Sequence, residues 1–293
     1  MRHLILLFLA ICAGLPARGQ DALEALLLIP LGVEGVDADA LIWQTNVVSS
    51  GGSVSAGTLT AVSRFCNAAK GNQYWTKLTV VCPVAGTGIA SAKHYLKYVG
   101  SVTNAVASGT AMTYNETGGS GGVVGNGTDA YWDTQYNPNG SSTSSFSVWA
   151  WCHTASAGGA TRITLGNQTG ASDAVFLGFV LGGTQESGLI AGEPGTEYTG
   201  TAAASTGFIG VNVSGSRSCQ WYKNGIATGS PVTQTHNFPN RNIFFNACNV
   251  DGSASYFETR RTSFWVVATG LTAQNIIDLY NDVLAFQTAL TRN

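Results

Sequence analysis

The chain has 293 residues, 10% of them charged and 44% hydrophobic, and its 14 basic and 16 acidic residues give a formal charge of −2. No Lys/Arg cluster exceeds Arg260-Arg261, so the basic stripe with which nucleic-acid binders neutralise phosphates is missing. Beyond Leu15 no run approaches the ~18 apolar residues of a membrane helix, which excludes a helical span there.

Arg2 and His3 precede the apolar run Leu4 to Leu15, and Ala17 and Gly19 supply small side chains ahead of Gln20. This is the pattern of a secretory signal peptide over residues 1–19, cleaved before Gln20, and it implies an exported chain. A lipid anchor on Cys12 is the rival reading, opposed by Ile11 where a small residue belongs. Cleavage takes Arg2 and Arg18 from the 14 basic residues and leaves 12 against 16 acidic ones. Hydroxyls and amides, rather than charges, then solvate the surface.

Residues 20–35 form an apolar arm, with Pro30 excluding an uninterrupted helix. Such a segment can lie along the domain's own sheet or add to the sheet edge of another copy, which would make the protein an assembling subunit. From Asp37 a helix is predicted with Leu41, Trp43 and Val47 apolar, ending at Gly51-Gly52. A second has Leu59, Val62, Phe65 or Cys66 and Ala69 at helical spacing and closes at Lys70-Gly71. Tyr74 to Val84 reads as a strand or buried segment, and residues 86–117 lack a period.

Gly118 to Pro138, GGSGGVVGNGTDAYWDTQYNP, divides a helical or mixed region (36–117) from a sandwich (118–293). Ala130 to Asp133 alternate as a strand entering a half-buried sheet, and Asn137 to Gly140 supply a turn. Phe146, Val148, Ala150 and Cys152 alternate with Ser147, Trp149, Trp151 and His153, so this strand has two apolar-rich faces and belongs between packed layers. Further strands are predicted at 162–165, 175–181, 208–213, 219–223, 243–247 and 262–268. Asn224-Gly225 makes a hairpin turn. Thr272 caps a last helix bearing Ile276, Tyr280, Val283, Leu284 and Phe286, whose apolar stripe must dock on the rest of the fold. Short strands separated by turns specify an antiparallel β-sandwich, mainly β, with a small helical N-terminal part and a C-terminal helix.

The stretches NVVSSGGSVSAGTLTAVSRFCNAA, YWTKLTVVCPVAG, GGVVGNGTDAYWDT and SYFETRRTSFWVVATGLTAQNIIDLYNDVLAFQTAL resemble uncharacterised bacterial and phage-borne surface proteins. That family carries a laminin-G-like, concanavalin A-like jelly roll. The resemblance implies an exported surface protein or virion tail component without an assigned activity. Its superfamily mixes glycan binders, adhesion modules, structural modules and glucanases. It also implies a calcium ion held by one Asp and backbone carbonyls, for which Asp173 and Asp251 are the candidates.

Catalytic patterns are weak throughout. Gly118 to Gly122 satisfies G-x-S-x-G, but no helix is predicted after Ser120, as a nucleophile elbow requires. A glucanase needs paired carboxyl groups, and the nearest pairs are Asp129 with Asp133, Asp37 with Asp39, and Glu193 with Glu197, of which the first reads as a turn cap. Trp132, Asp133 and Tyr136 are the candidate sugar-binding group, the aromatic faces stacking on a ring and the carboxylate accepting from hydroxyls. The partners expected are surface glycans or copies of the chain. Of the five cysteines that remain after cleavage, Cys66 and Cys82 are the expected disulfide, because an exported chain forms disulfides and the two are near in sequence. These features point to a secreted, non-enzymatic structural or adhesive module, with a glycan-binding module and a self-assembling subunit as alternatives.

Overall fold

A computed structural model describes residues 35–119, 121–156, 160–170, 173–181, 185–193, 199–202 and 206–292. The segments read from the sequence as a signal peptide and an arm, Gly35 apart, lie outside them. The described helices and strands all belong to one compact unit that begins at Asp37.

Helix α1 (Ala38–Ser49) starts where the Asp37 carboxylate accepts from Asp39 N–H, and it buries Ala40, Trp43 and Val47. Helix α2 (Ala56–Gly71) is capped by Ser55 and buries Leu59, Val62, Phe65, Cys66 and Ala69 at helical spacing. Strand β1 (Leu78–Cys82) and the single-turn helix α3 (Ile89–Ala92) follow. Short strands β2 (Lys97–Tyr98), β3 (Val106–Ser108) and β4 (Thr113–Asn115) then occupy the stretch in which no period was readable. Next come β5 (Gly122–Val124), β6 (Tyr131–Asp133) and β7 (Ser145–Cys152). Strands β8 (Leu165–Thr169), β9 (Asp173–Leu181), β10 (Gln185–Gly192) and β11 (Thr199–Ala202) form a run of neighbours. After them lie β12 (Gly207–Ser214), β13 (Ser218–Lys223), β14 (Ile226–Thr233) and β15 (Phe244–Phe245). The chain closes with β16 (Cys248–Val250), β17 (Ser253–Ser255), β18 (Arg261–Ala268) and helix α4 (Ala273–Ala289).

The strands make two sheets. One runs β14-β13-β12-β7-β18-β1-β2, with β5 and β4 beside β18. The other runs β11-β10-β9-β8-β15-β6-β3, with β16 joining β8 in parallel. Their facing sides share one apolar core, to which Val148, Ala150, Cys152 and Trp265 come from the first sheet and Trp132, Leu165, Val175 and Phe245 from the second. The protein is therefore mainly β and sandwich-like, with helices at its N-terminal side and its C-terminus.

Strand β7 has the central place its two apolar faces require. It pairs with β12 on one side and β18 on the other. Phe146, Val148, Ala150 and Cys152 enter the core between the sheets. On the opposite face Trp149 stacks on Phe208 at 5.5 Å, and Trp151 stacks on Tyr280 of α4 at 6.4 Å. Gly210, paired with Trp149, has to be glycine: a Cβ there would lie 1.8 Å from the indole. The same face carries Phe264, which meets Phe65 of α2 at 5.2 Å and Phe286 of α4 at 5.7 Å. Helix α4 thus docks on both a helix and the sheet, held further by a Thr272–Asn275 capping box.

Strand pairing crosses the division that the sequence places at residue 118. β1 hydrogen-bonds to β18 near the opposite end of the chain, with Val80 opposite Val267 and Cys82 opposite Trp265, so residues before 118 complete the sandwich. Arg162 makes only an isolated bridge to Val180, and the strand predicted there begins at Leu165. The Asn224-Gly225 hairpin forms between β13 and β14, with φ of 50° and 78° at the two turn residues.

The expected disulfide is corrected. Cys66, Cys82, Cys152, Cys219 and Cys248 are all buried free thiols. Cys82 points into the core between the sheets and donates to Ala92 O at 3.4 Å, whereas Cys66 sits in the helical layer on the other face of that sheet. A disulfide needs the two Cα atoms within about 7 Å and Cβ vectors that converge, and a sheet stands between these two side chains.

Candidate functional site

A cavity of about 270 Å³ opens between α3, the turn after β3 and the start of β6. Its apolar floor includes Met112, Tyr131 and Trp132, and its rim includes Ile89, Lys93, Ser108 and Thr110. Backbone pairing brings these together: Ala107 lies opposite Trp132 and Ser108 opposite Tyr131 in the β3–β6 ladder. The chain then turns at Gly109 (φ 71°), where a Cβ would fall 1.9 Å from Asp129 O, so glycine is required there.

The loop ahead of β6 is held by Asn126. Its Oδ1 accepts from the backbone N–H groups of Thr128, Asp129 and Ala130 at 2.9 to 3.0 Å, and its Nδ2 donates to Asp129 Oδ1 at 2.6 Å. Thr110 Oγ1 donates to Asp129 Oδ2 at 2.9 Å and ties the β3 turn to that loop. These hydrogen bonds, Asn126 first, hold the exposed Asp129 carboxyl below the usual carboxylate range. The Tyr131 ring is half-buried, braced by Phe244 at 4.6 Å and Phe257 at 6.2 Å.

The three residues proposed from sequence do not make one exposed platform. Trp132 is 1% exposed and packs on Phe245 at 5.2 Å, so it contributes only the cavity floor. Asp133 accepts from Gln135 N–H at 2.7 Å and from Asn242 Nδ2 at 3.1 Å, tying two loops together. Tyr136 stacks on Phe146 at 6.5 Å and shares a hydrogen bond with Ser141 Oγ at 3.1 Å. In their place the structure brings in Tyr131, from the same strand, with Lys93, Ser108 and Thr110. The last three lie in the stretch without a period, where Gly109 is the one legible signal.

The two calcium candidates lie near the ends of β8 and β9. Asp251 accepts from Gly170 N–H with both oxygens, at 3.0 and 3.3 Å. Asp173 accepts from Asn237 N–H at 3.3 Å and stands 3.8 Å from His236 Nδ1. Among the described residues no group of three or more His, Cys, Asp or Glu gathers at either position.

Two other groupings resemble catalytic machinery, and in each the group that would act is buried. Ser263 lies 2.6 Å from His153 Nε2, but it is fully buried, with Gly122 packed against its Cβ. Its hydroxyl donates to Gln287 Oε1 at 2.9 Å, so with the amide in this orientation His153 donates to Ser263 and does not act as its base. Glu186 and Glu258 flank Arg260, and none of the three reaches solvent. Glu258 Oε1 also accepts from Ser156 Oγ and from the backbone of Thr259 and Arg260, as a buried carboxylate must.

No family model and no curated protein matches the chain. Solved structures do. Domain 4 of an extracellular GH43 arabinanase from Geobacillus stearothermophilus, in complex with arabinotriose, matches over 69% of this chain and 98% of that one, at 15% identity and a TM-score of 0.45. A Trypanosoma rangeli sialidase in complex with a difluorinated sugar acid matches over 76% of this chain and 39% of that one, at 12% identity and a TM-score of 0.46. This chain therefore spans well under half of the sialidase. Both neighbours are carbohydrate-active proteins with sugars bound, unlike the structural or adhesive module expected from the sequence.

Proposed function

We propose that the protein is a carbohydrate-binding module that takes one sugar ring in the cavity between α3, the β3 turn and β6. The observation that carries this reading is the cavity's composition, an aromatic floor of Tyr131 and Trp132 under a rim of hydroxyls and one amine. A pyranose has an apolar C–H face and a polar edge, so it suits a half-buried aromatic with donors around it. The volume of about 270 Å³ lies just below that of pockets for drug-sized ligands and fits a single residue at the end of a chain. No carboxylate lines the cavity, and two-carboxylate hydrolysis needs a pair across the scissile bond, which favours binding over cleavage. The signal-peptide pattern of residues 1–19 suits a protein that meets glycans outside the cell.

The test is a glycan array followed by saturation-transfer NMR on the protein and on Tyr131→Ala. Binding that falls at least ~10-fold in Tyr131→Ala, at an unchanged melting temperature, supports the reading. Binding that ignores this substitution places the ligand elsewhere and refutes it.

A further inference from the structure

The depth at which each lining residue sits narrows the class of sugar, an inference that rests on the carbohydrate reading above. Lys93, Ser108 and Thr110, which bring the cavity its amine and its aliphatic hydroxyls, are half-buried or exposed and meet a sugar at the rim. The lining residues with least exposure are Met112, at 6%, and Trp132, at 1%. The part of a ligand that reaches furthest in is therefore met by a thioether and an indole.

The Met112 sulfur is not a spare acceptor for a sugar hydroxyl. Asn246 is fully buried, and its Nδ2 donates to Met112 Sδ at 3.6 Å, so this weak acceptor already has its donor. Met112 also belongs to the apolar core between the sheets, which fixes the floor in place. A hydroxyl carried down to Met112 exchanges water for a sulfur already engaged, and a buried hydroxyl without a partner is penalised. A methyl group at the same point gains contact with a polarisable thioether and gives up no hydrogen bond. Most sugar carbons carry hydroxyls, but a 6-deoxyhexose ends in a methyl, and an N-acetylated hexosamine carries one at the tip of its acetamido group. In either, the ring can lie on Tyr131 with its polar edge toward the rim while the methyl points to the floor.

We propose that this cavity selects a sugar bearing a methyl group, a 6-deoxyhexose or an N-acetylated hexosamine, and that Met112 is the specificity-determining residue that receives the methyl.

The experiment titrates the protein, Met112→Leu and Met112→Gln by NMR with two matched pairs of free sugars. L-Fucose against L-galactose exchanges a methyl for a hydroxymethyl group, and N-acetylglucosamine against glucose exchanges an acetamido group for a hydroxyl, so the two pairs distinguish the two carriers. The expected result is about tenfold tighter binding of the methyl-bearing member in one pair, the discrimination that a single methylene-sized difference gives in an apolar pocket. Met112→Leu keeps that preference. Met112→Gln, which offers an amide to a hydroxyl, removes it and leaves the hydroxyl-bearing member bound as before. Equal binding within both pairs, or binding only to array sugars that carry no methyl, overturns the inference and leaves the carbohydrate reading standing. A preference that survives Met112→Gln at an unchanged melting temperature overturns it too, because the methyl then sits elsewhere. If that variant does not fold, the two pairs on the unsubstituted protein decide alone. Absence of binding to any sugar, on the array and in solution, overturns both readings.

Discussion

His153 Nε2 and Ser263 Oγ stand 2.6 Å apart across the β7–β18 pair, closing a chain that continues from Ser263 to Gln287 of α4 at 2.9 Å. Burial, then the charges of Arg292 and Arg261, push the imidazole down to about 4. In the unfolded chain it titrates near 6.5. The unfolded state therefore binds a proton that the folded state refuses as pH falls from about 6.5 to about 4, and stability is lost across that window by up to about 3 kcal/mol. Urea denaturation at pH 7.5, 5.5 and 4 checks this. His153→Gln should flatten that loss, and a slope identical to the unsubstituted protein would show that other groups carry it.

Arg260 is buried with Glu186 and Glu258, and removing it leaves both carboxylates in the interior without their guanidinium. Arg260→Met should destabilise the fold by about 3–5 kcal/mol, the usual cost of breaking a desolvated pair. Chemical denaturation measures it. A loss below ~1 kcal/mol would mean that water reaches the cluster.

All five described cysteines should be unreactive thiols in the native protein. Burial pushes Cys82 and Cys219 up to about 12 and Cys152 up to about 11, and raises Cys66 and Cys248 as well, so the nucleophilic thiolate is scarce. Titration with a thiol reagent should label none of them before denaturation and all of them in denaturant without reductant. A pair that appears only after reduction would restore a disulfide.

Much of the architecture was legible because it rests on local periodicity. Trp43 and Val47 in α1, and Val62, Cys66 and Ala69 in α2, recur at helical spacing, and Asp37 and Thr272 are capping residues, so each helix announces itself in a few neighbouring residues. The alternation Phe146-Ser147-Val148-Trp149 likewise fixes β7 as a strand with two covered faces. Strands β10 and β14 were missed because QESGLIAG and IATGSPVT carry glycine or proline where a strand pattern calls for branched or aromatic residues. Their formation depends on neighbours already in place.

What the sequence determined by itself is therefore the class of fold, the helices with their caps, and the strands with strong alternation. Tertiary structure alone decided which side of the chain each aromatic faces and which distant residues meet. Trp132 and Tyr131 are adjacent in sequence, yet the period of two in a strand sends one into the core and leaves the other half-exposed at a cavity. Ser108 reaches that cavity because β3 pairs with β6 and a glycine lets the following turn close on Asp129, and Lys93 because its carbonyl accepts from Ala105 N–H at 3.0 Å just ahead of β3, contacts that no local pattern encodes.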